Sequence, residues 1–126
     1  MNLRVVLVVE DEPSVMAFVR TALERNGYSV VGAETGVRAL ELLREQAYDG
    51  VISDMRTPGG VDGADLWAWL ADHRPEMLAK LIFITGDIVN EETAATLQRT
   101  QAPYVEKPFR VRQLINVVER IVGTAR

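Results

Sequence analysis

The sequence predicts an α/β fold in which five short strands alternate with five helices around one parallel sheet. Two observations carry this expectation. Short apolar runs, rich in β-branched residues, recur at 3–9, 50–53, 81–84 and 102–105, and segments with helical spacing of apolar residues lie between them. The polar residues Glu10, Asp11, Asp54, Thr85 and Lys107 stand at the ends of these runs. The carboxyl ends of parallel strands form one rim, and ligands bind in the crevice there. Residues scattered over a hundred positions would then meet at one place.

The first run, 3–9, is almost wholly apolar, as a strand buried on both faces should be. Glu10-Asp11-Glu12-Pro13 follows as a helix start, because acids suit a helix N-terminus and Pro suits its first turn. Val15, Phe18, Val19, Ala22 and Leu23 mark the first helix, which Asn26-Gly27 stops. Residues 28–31 form the second strand. Residues 36–45 form the second helix, with Val37, Leu40 and Leu43 on one face. Strand three is 51–53, and Pro58, Gly59 and Gly60 make 55–61 a loop. Asp62 caps a third helix whose Leu66 and Leu70 face the core, and Arg74-Pro75 ends it. Strand four is 81–84. A fourth helix over 90–100, capped by Asn90, is thinly apolar, with Ala94, Ala95 and Leu97. Strand five is 103–105. The last helix, about 111–122, carries Leu114, Val118, Ile121 and Val122 as a stripe.

This (βα)5 pattern implies right-handed crossovers and a doubly wound, flavodoxin-like sheet of order 2-1-3-4-5. The crevice falls where that order reverses, at the ends of strands one and three, which carry Glu10, Asp11 and Asp54. A chain of 126 residues suits one domain, 1–126, with no output domain visible. No apolar run approaches a membrane span and no basic-then-apolar leader is visible, so a cytoplasmic location without membrane contact is expected. The absence of Cys excludes disulfides and thiolate metal sites. A net charge of −4 argues against direct nucleic-acid binding, and Arg110, Arg112, Arg120 and Arg126 read as a solvated face of the last helix and tail.

Hard divalent ions take oxygen ligands, usually one or two carboxylates with waters and a phosphate. Glu10, Asp11 and Asp54 suit Mg²⁺ or Mn²⁺, provided the first two sit where the chain bends out of its strand. Asp54, alone at the end of a central strand, is the candidate nucleophile toward phosphorus, giving an aspartyl-phosphate. Lys107 offsets phosphoryl charge and the Thr85 hydroxyl donates to a phosphoryl oxygen. Taken singly, each residue has a plain structural explanation: acids at a helix start, Asp in a turn, a surface lysine. Together they require unrelated coincidences at four strand ends.

The segments Val-Val-Glu-Asp-Glu-Pro (8–13), Ser-Asp-Met-Arg-Thr-Pro-Gly-Gly-Val-Asp-Gly (53–63), Ile-Thr-Gly-Asp (84–87) and Tyr-Val-Glu-Lys-Pro-Phe (104–109) resemble the receiver domain of two-component response regulators. The resemblance covers the whole chain. It implies that Asp54 accepts a phosphoryl group from a histidine kinase or a histidine phosphotransfer protein. It implies Mg²⁺ held by Glu10, Asp11, Asp54 and the backbone carbonyl of Arg56, with Thr85 and Lys107 on the phosphoryl oxygens. Tyr104 matches an aromatic that swings inward with Thr85, and Lys107-Pro108 matches a peptide bond that is usually cis in the family. Arg56 and Asp87 match positions that tune phosphoryl lifetime. Two departures stand out. Glu10 replaces a commoner Asp, and the loop before Asp62 is one residue longer than the commonest form, as in some receivers of hybrid histidine kinases and some stand-alone ones.

The resemblance implies a switch with slow self-dephosphorylation more than a turnover enzyme. The segment from Thr85 through helix four to Tyr104 is the expected moving part, changing the helix 4, strand 5 and helix 5 face for an unknown downstream protein. A degenerate receiver that binds a partner without phosphate is the alternative. A phosphatase of the haloacid-dehalogenase type is disfavoured, because its second Asp would fall at Arg56. Ile115 and Val117, beside the stripe of the last helix, point to a weak homodimer. Trp67 and Trp69 are expected in boundary packing, and His73 as a helix-end residue.

Overall fold

The computed structural model describes residues 3–125. Met1, Asn2 and Arg126, the last grouped above with the solvated arginines, lie outside the described residues. Strands β1 (Val5–Val9), β2 (Ser29–Ala33), β3 (Gly50–Asp54), β4 (Leu81–Thr85) and β5 (Tyr104–Glu106) alternate with helices α1 (Pro13–Arg25), α2 (Gly36–Glu45), α3 (Gly63–His73), α4 (Glu91–Thr100) and α5 (Val111–Ile121). The strands are all parallel in the order 2-1-3-4-5, as expected.

Alternation along the central strands builds two layers, because successive side chains point to opposite faces. Val6, Val8, Ile82 and Ile84 pack with α1 and α5, while Leu7, Val9, Leu81 and Phe83 pack with α2 and α3. Asp49, on entry to β3, ties that strand to the start of β1, its carboxylate accepting the Val5 N–H at 2.7 Å. Three helices start on side-chain caps. Thr35 accepts from the Arg38 N–H, Asp62 exchanges bonds with Asp65, and Asn90 accepts from the Thr93 N–H.

The layers are unequally held. α5 buries Leu114, Ile115 and Val118, each contributing about 1.5–3 kcal/mol. Of the ten residues of α4 only Thr93 is buried, so burial holds this helix least, as its thin apolar content implied. Its far end leans on α3, where the Arg99 guanidinium lies 5.7 Å from the Trp67 ring. Trp69 stacks on His73 at 4.5 Å, and the His73 ring bonds the Trp69 carbonyl. Both tryptophans are half-buried at the edge of the core, the boundary role expected of them.

Several local expectations need correction. The buried face of α2 is Ala39, Leu42 and Leu43, and Val37 is exposed. Ile115 lies in the core rather than beside it, and Val117 is partly buried against that core. Phe18 lies 41% exposed on α1. A 3-10 helix, Pro75–Lys80, joins α3 to β4 and buries Met77. β5 begins at Tyr104, one residue after Pro103, which has no N–H to give the ladder.

Candidate functional site

The rim forms because the strands end in register: Val9 pairs with Ser53, Asp54 with Ile84, and Thr85 with Glu106. The residue that ends β3 is therefore Asp54, the one that ends β4 is Thr85, and Glu10 and Lys107 leave β1 and β5 beside them. A cleft of about 330 Å³ opens over this rim, lined by Asp11, Glu12, Asp54, Arg56, Thr85 and Lys107 among others.

Behind Asp54 the packing is tight. A Cβ at Gly63 would meet Phe83 Cε1 at 2.9 Å and the Asp54 carbonyl oxygen at 3.1 Å, so glycine lets the start of α3 close on the end of β3. The loop between them turns at Gly59 and Gly60, with φ of 92° and 87°. The Thr57 hydroxyl donates to the Val61 carbonyl within it.

Lys107 organises the charges. Its Nζ donates to Asp54 Oδ2 at 3.0 Å and lies 3.2 Å from Glu10 Oε1 and 3.5 Å from Glu12 Oε1. Burial alone would lower the ammonium pKa, but the hydrogen bond to Asp54 and the charges of Asp54 and Glu10 outweigh it, and the pKa is raised. Asp54 Oδ1 accepts the Arg56 N–H at 3.2 Å. Thr85 is buried, and its hydroxyl oxygen accepts the Asp87 N–H at 3.2 Å. The Thr85 carbonyl accepts the Lys107 N–H at 2.8 Å, tying β4 to the base of Lys107. The Lys107-Pro108 peptide is cis, as the resemblance implied.

Glu10 is the electrostatic anomaly. Its side chain is fully buried at the end of β1. Burial pushes its carboxyl up to about 7; the Glu12 N–H bonded to Oε2 opposes this, the Asp54 charge adds to it, and Lys107 opposes it. Oε1 faces Lys107 as an ion pair but makes no aligned hydrogen bond. Carboxylate oxygens of Glu10, Glu12 and Asp54 lie within 4.8 Å of one another. A buried carboxylate oxygen without an aligned hydrogen bond, beside two more hard donors, fits an Mg²⁺ ion.

The structure thus brings Glu10, Asp54, Thr85 and Lys107 together as expected. Asp11 lines the cleft but is exposed and stands outside the three-carboxylate group. Glu12, read above only as a helix-start acid, joins it. Its backbone occupies the N-cap position of α1, yet its side chain makes no cap bond and reaches Lys107 instead. The third acid in an unbroken Glu-Asp-Glu run before a proline was the available signal. Tyr104 is 43% exposed on β5.

The profile of the response regulator receiver domain matches residues 6–119. The chain belongs to that family. This receiver is 33% identical over 124 residues to the sensor protein GacS of Pseudomonas syringae pv. syringae, covering 95% of the chain but 14% of GacS. It is 28% identical over 120 residues to the polar-differentiation response regulator DivK of Brucella ovis, covering 95% of the chain and 97% of DivK. Its structure is similar to the receiver domain of sensor histidine kinase PA1611 from Pseudomonas aeruginosa PAO1, with a TM-score of 0.85 and 25% identity over 96% of this chain and 98% of that one. The crystal structure of that receiver has a magnesium ion coordinated in the active-site cleft. The receiver described here is thus a module of two-component phosphorelay signalling. Among its described residues no helix is long and apolar enough to cross a membrane.

Proposed function

We propose that this receiver accepts a phosphoryl group on Asp54 from a histidine kinase or histidine phosphotransfer protein, in an Mg²⁺-dependent reaction in the cytoplasm. The observation that carries this reading is the convergence of Asp54, Lys107 and a buried Glu10 oxygen without an aligned hydrogen bond at one rim. Asp54 Oδ forms a bond to phosphorus as the bond from phosphorus to the donor's histidine nitrogen breaks, its electron pair leaving with the imidazole. Lys107, already bonded to Asp54, balances charge on the phosphoryl oxygens, and the Thr85 hydroxyl turns from the Asp87 N–H to donate to one of them. When bound, Mg²⁺, or Mn²⁺ in its place, would supply positive charge to offset that of the acceptor carboxylate and the phosphoryl oxygens. Glu10, Asp11, Glu12, Asp54 and the Arg56 carbonyl are the groups available to hold it. Domain 1–126 acts as a switch that loses its phosphoryl group slowly.

The output is the α4, β5 and α5 face. α4 is the least firmly packed helix, and Thr85 and Tyr104 flank it in the chain. Drawing Thr85 toward the phosphoryl group lets Tyr104 move inward and changes the partner this face prefers. The partner is a downstream protein rather than nucleic acid. Thr85→Ala should keep most phosphoryl uptake yet lose phosphorylation-dependent partner binding. Equal binding by both forms, measured by calorimetry with the phosphorylated proteins, would sink this route.

Intact mass after incubation with acetyl phosphate and Mg²⁺ tests the acceptor. One added phosphoryl group is expected, absent from Asp54→Asn and blocked by chelator. No gain, even with a cognate kinase, would leave a phosphate-independent interaction module.

A further inference from the structure

An unbroken set of hydrogen bonds runs from Thr85 to the first turn of α4. The Thr85 hydroxyl oxygen accepts the Asp87 N–H at 3.2 Å. Asp87 Oδ1 accepts the Val89 N–H and the Asn90 N–H, each at 3.2 Å. Asn90 Oδ1 in turn accepts the Thr93 N–H at 3.2 Å and caps the helix. The Asp87 side chain thus folds 87–90 into a turn on its own backbone neighbours, a habit of short acids. Gly86 stands between Thr85 and Asp87, and a Cβ there would meet nothing nearer than Lys107 Cδ at 4.0 Å. The chain can rotate at this glycine with little steric cost.

α4 also has room on one side. A gap of about 270 Å³ separates its first turns from the start of α3, with Thr93, Ala95 and Thr96 on one wall and Met55, Asp62 and Ala64 on the other. Met55 and Thr93 line the phosphoacceptor cleft as well, so the gap opens beside it. The far end of the helix is tethered, with Leu97 packed on the core and the Arg99 guanidinium over the Trp67 ring. The first turn of α4 is therefore the end that can move.

We propose that Asp87 is a positioning residue that carries the phosphoryl signal from Thr85 to α4. The inference rests on Asp54 being the acceptor. When the Thr85 hydroxyl turns to the phosphoryl group, the Asp87 N–H loses its acceptor. A donor left unpaired costs free energy until it finds another, and Gly86 and Asp87 both line the cleft into which phosphoryl oxygens arrive. The chain rotates at Gly86, and the bonds to Asp87 Oδ1 make 87–90 travel as one piece with the helix cap instead of absorbing the displacement. Asp54 ends β3, the neighbour of β4, so the pull is toward β3 and the segment leading from it into α3. The first turn of α4 follows, and the gap closes.

The chain has no cysteine, so Ala64→Cys with Ala95→Cys sets one thiol pair across the gap. The rate at which a mild oxidant joins the pair is measured with and without Mg²⁺ and saturating beryllofluoride, a stable mimic of the phosphoryl group whose binding fluorine NMR reports. Beryllofluoride should speed joining about tenfold in the pair alone and in its Asp87→Asn form, which keeps the Oδ1 acceptor. It should leave the rate unchanged in Asp87→Ala and in Asn90→Ala, which cut successive links. Asn90 is outside the cleft lining, so its variant reads the relay apart from any effect of Asp87 on phosphoryl occupancy. Acceleration that persists in Asp87→Ala or Asn90→Ala, or that is lost in Asp87→Asn, overturns the relay. So does an unchanged rate in the pair alone with beryllofluoride bound. Failure of the pair alone to bind beryllofluoride strikes instead at Asp54 as acceptor, and the relay falls with it.

Discussion

Lys107→Met is expected to slow phosphoryl uptake about a hundredfold while strengthening Mg²⁺ binding. The opposite signs follow from one geometry. Lys107 Nζ sits within 3.5 Å of carboxylate oxygens of Glu10, Glu12 and Asp54, where it serves as their shared counter-ion. A divalent cation drawn to the same oxygens must work against that ammonium, so removing it favours the metal. In the proposed transfer the ammonium would face the phosphoryl oxygens, and methionine, of similar length but uncharged, would supply nothing in its place. Calorimetric Mg²⁺ titration and mass-detected labelling with acetyl phosphate check the two halves. If Mg²⁺ binds more weakly to Lys107→Met, the ammonium and the metal are not competing for the same carboxylates and the electrostatic account of the cleft is wrong.

In the absence of Mg²⁺ the protein should lose stability as pH rises from about 4.5 to about 7, and Glu10→Gln should abolish much of that slope. Glu10 titrates near 4.5 when unperturbed and is pushed up to about 7 in the folded chain, chiefly by burial. Between those values the folded state keeps a proton that the unfolded state has released. The folded state therefore binds more protons, and stability falls with rising pH across the window. Below it the contribution is fully present; above it the cost of an ionised, buried carboxylate is complete. The full shift corresponds to roughly 3 kcal/mol, large against the usual 5–15 kcal/mol of a domain. Urea unfolding at several pH values, wild type beside Glu10→Gln, measures it. Parallel curves for the two proteins would show that Glu10 does not titrate in this range. Mg²⁺ stabilises the ionised form, so adding it should flatten the wild-type curve and release protons on binding.

The strand ends were readable from sequence because they depend on a simple contrast, a β-branched run stopped by one polar residue. That contrast located Asp54 and Thr85, and with them the rim, while Lys107 follows Glu106 at the end of a shorter run. The helix faces were less readable. In α2 the buried set is offset from Val37 because small Ala39 faces the sheet, and a pattern weighted by apolar strength favours valine over alanine. Ile115 was set beside the stripe of α5, whereas the sheet is broad enough there to take it into the core. Glu12 was hidden for a different reason. Three consecutive acids at a bend cannot be sorted by periodicity, and the partner that Glu12 reaches, Lys107, lies 95 residues away. Long-range electrostatics of that kind is settled only when the fold has closed.

The scarcity of buried side chains on α4 also bears on how such a module can diversify. Glu91, Glu92, Ala94, Ala95 and Gln98 are exposed, and exposed substitutions away from special features usually alter stability by no more than about 0.5 kcal/mol. That surface can therefore be rewritten for a new listener while the strand-end chemistry stays intact. One inherited scaffold can acquire many addressees, each change tested for recognition and hardly at all for folding.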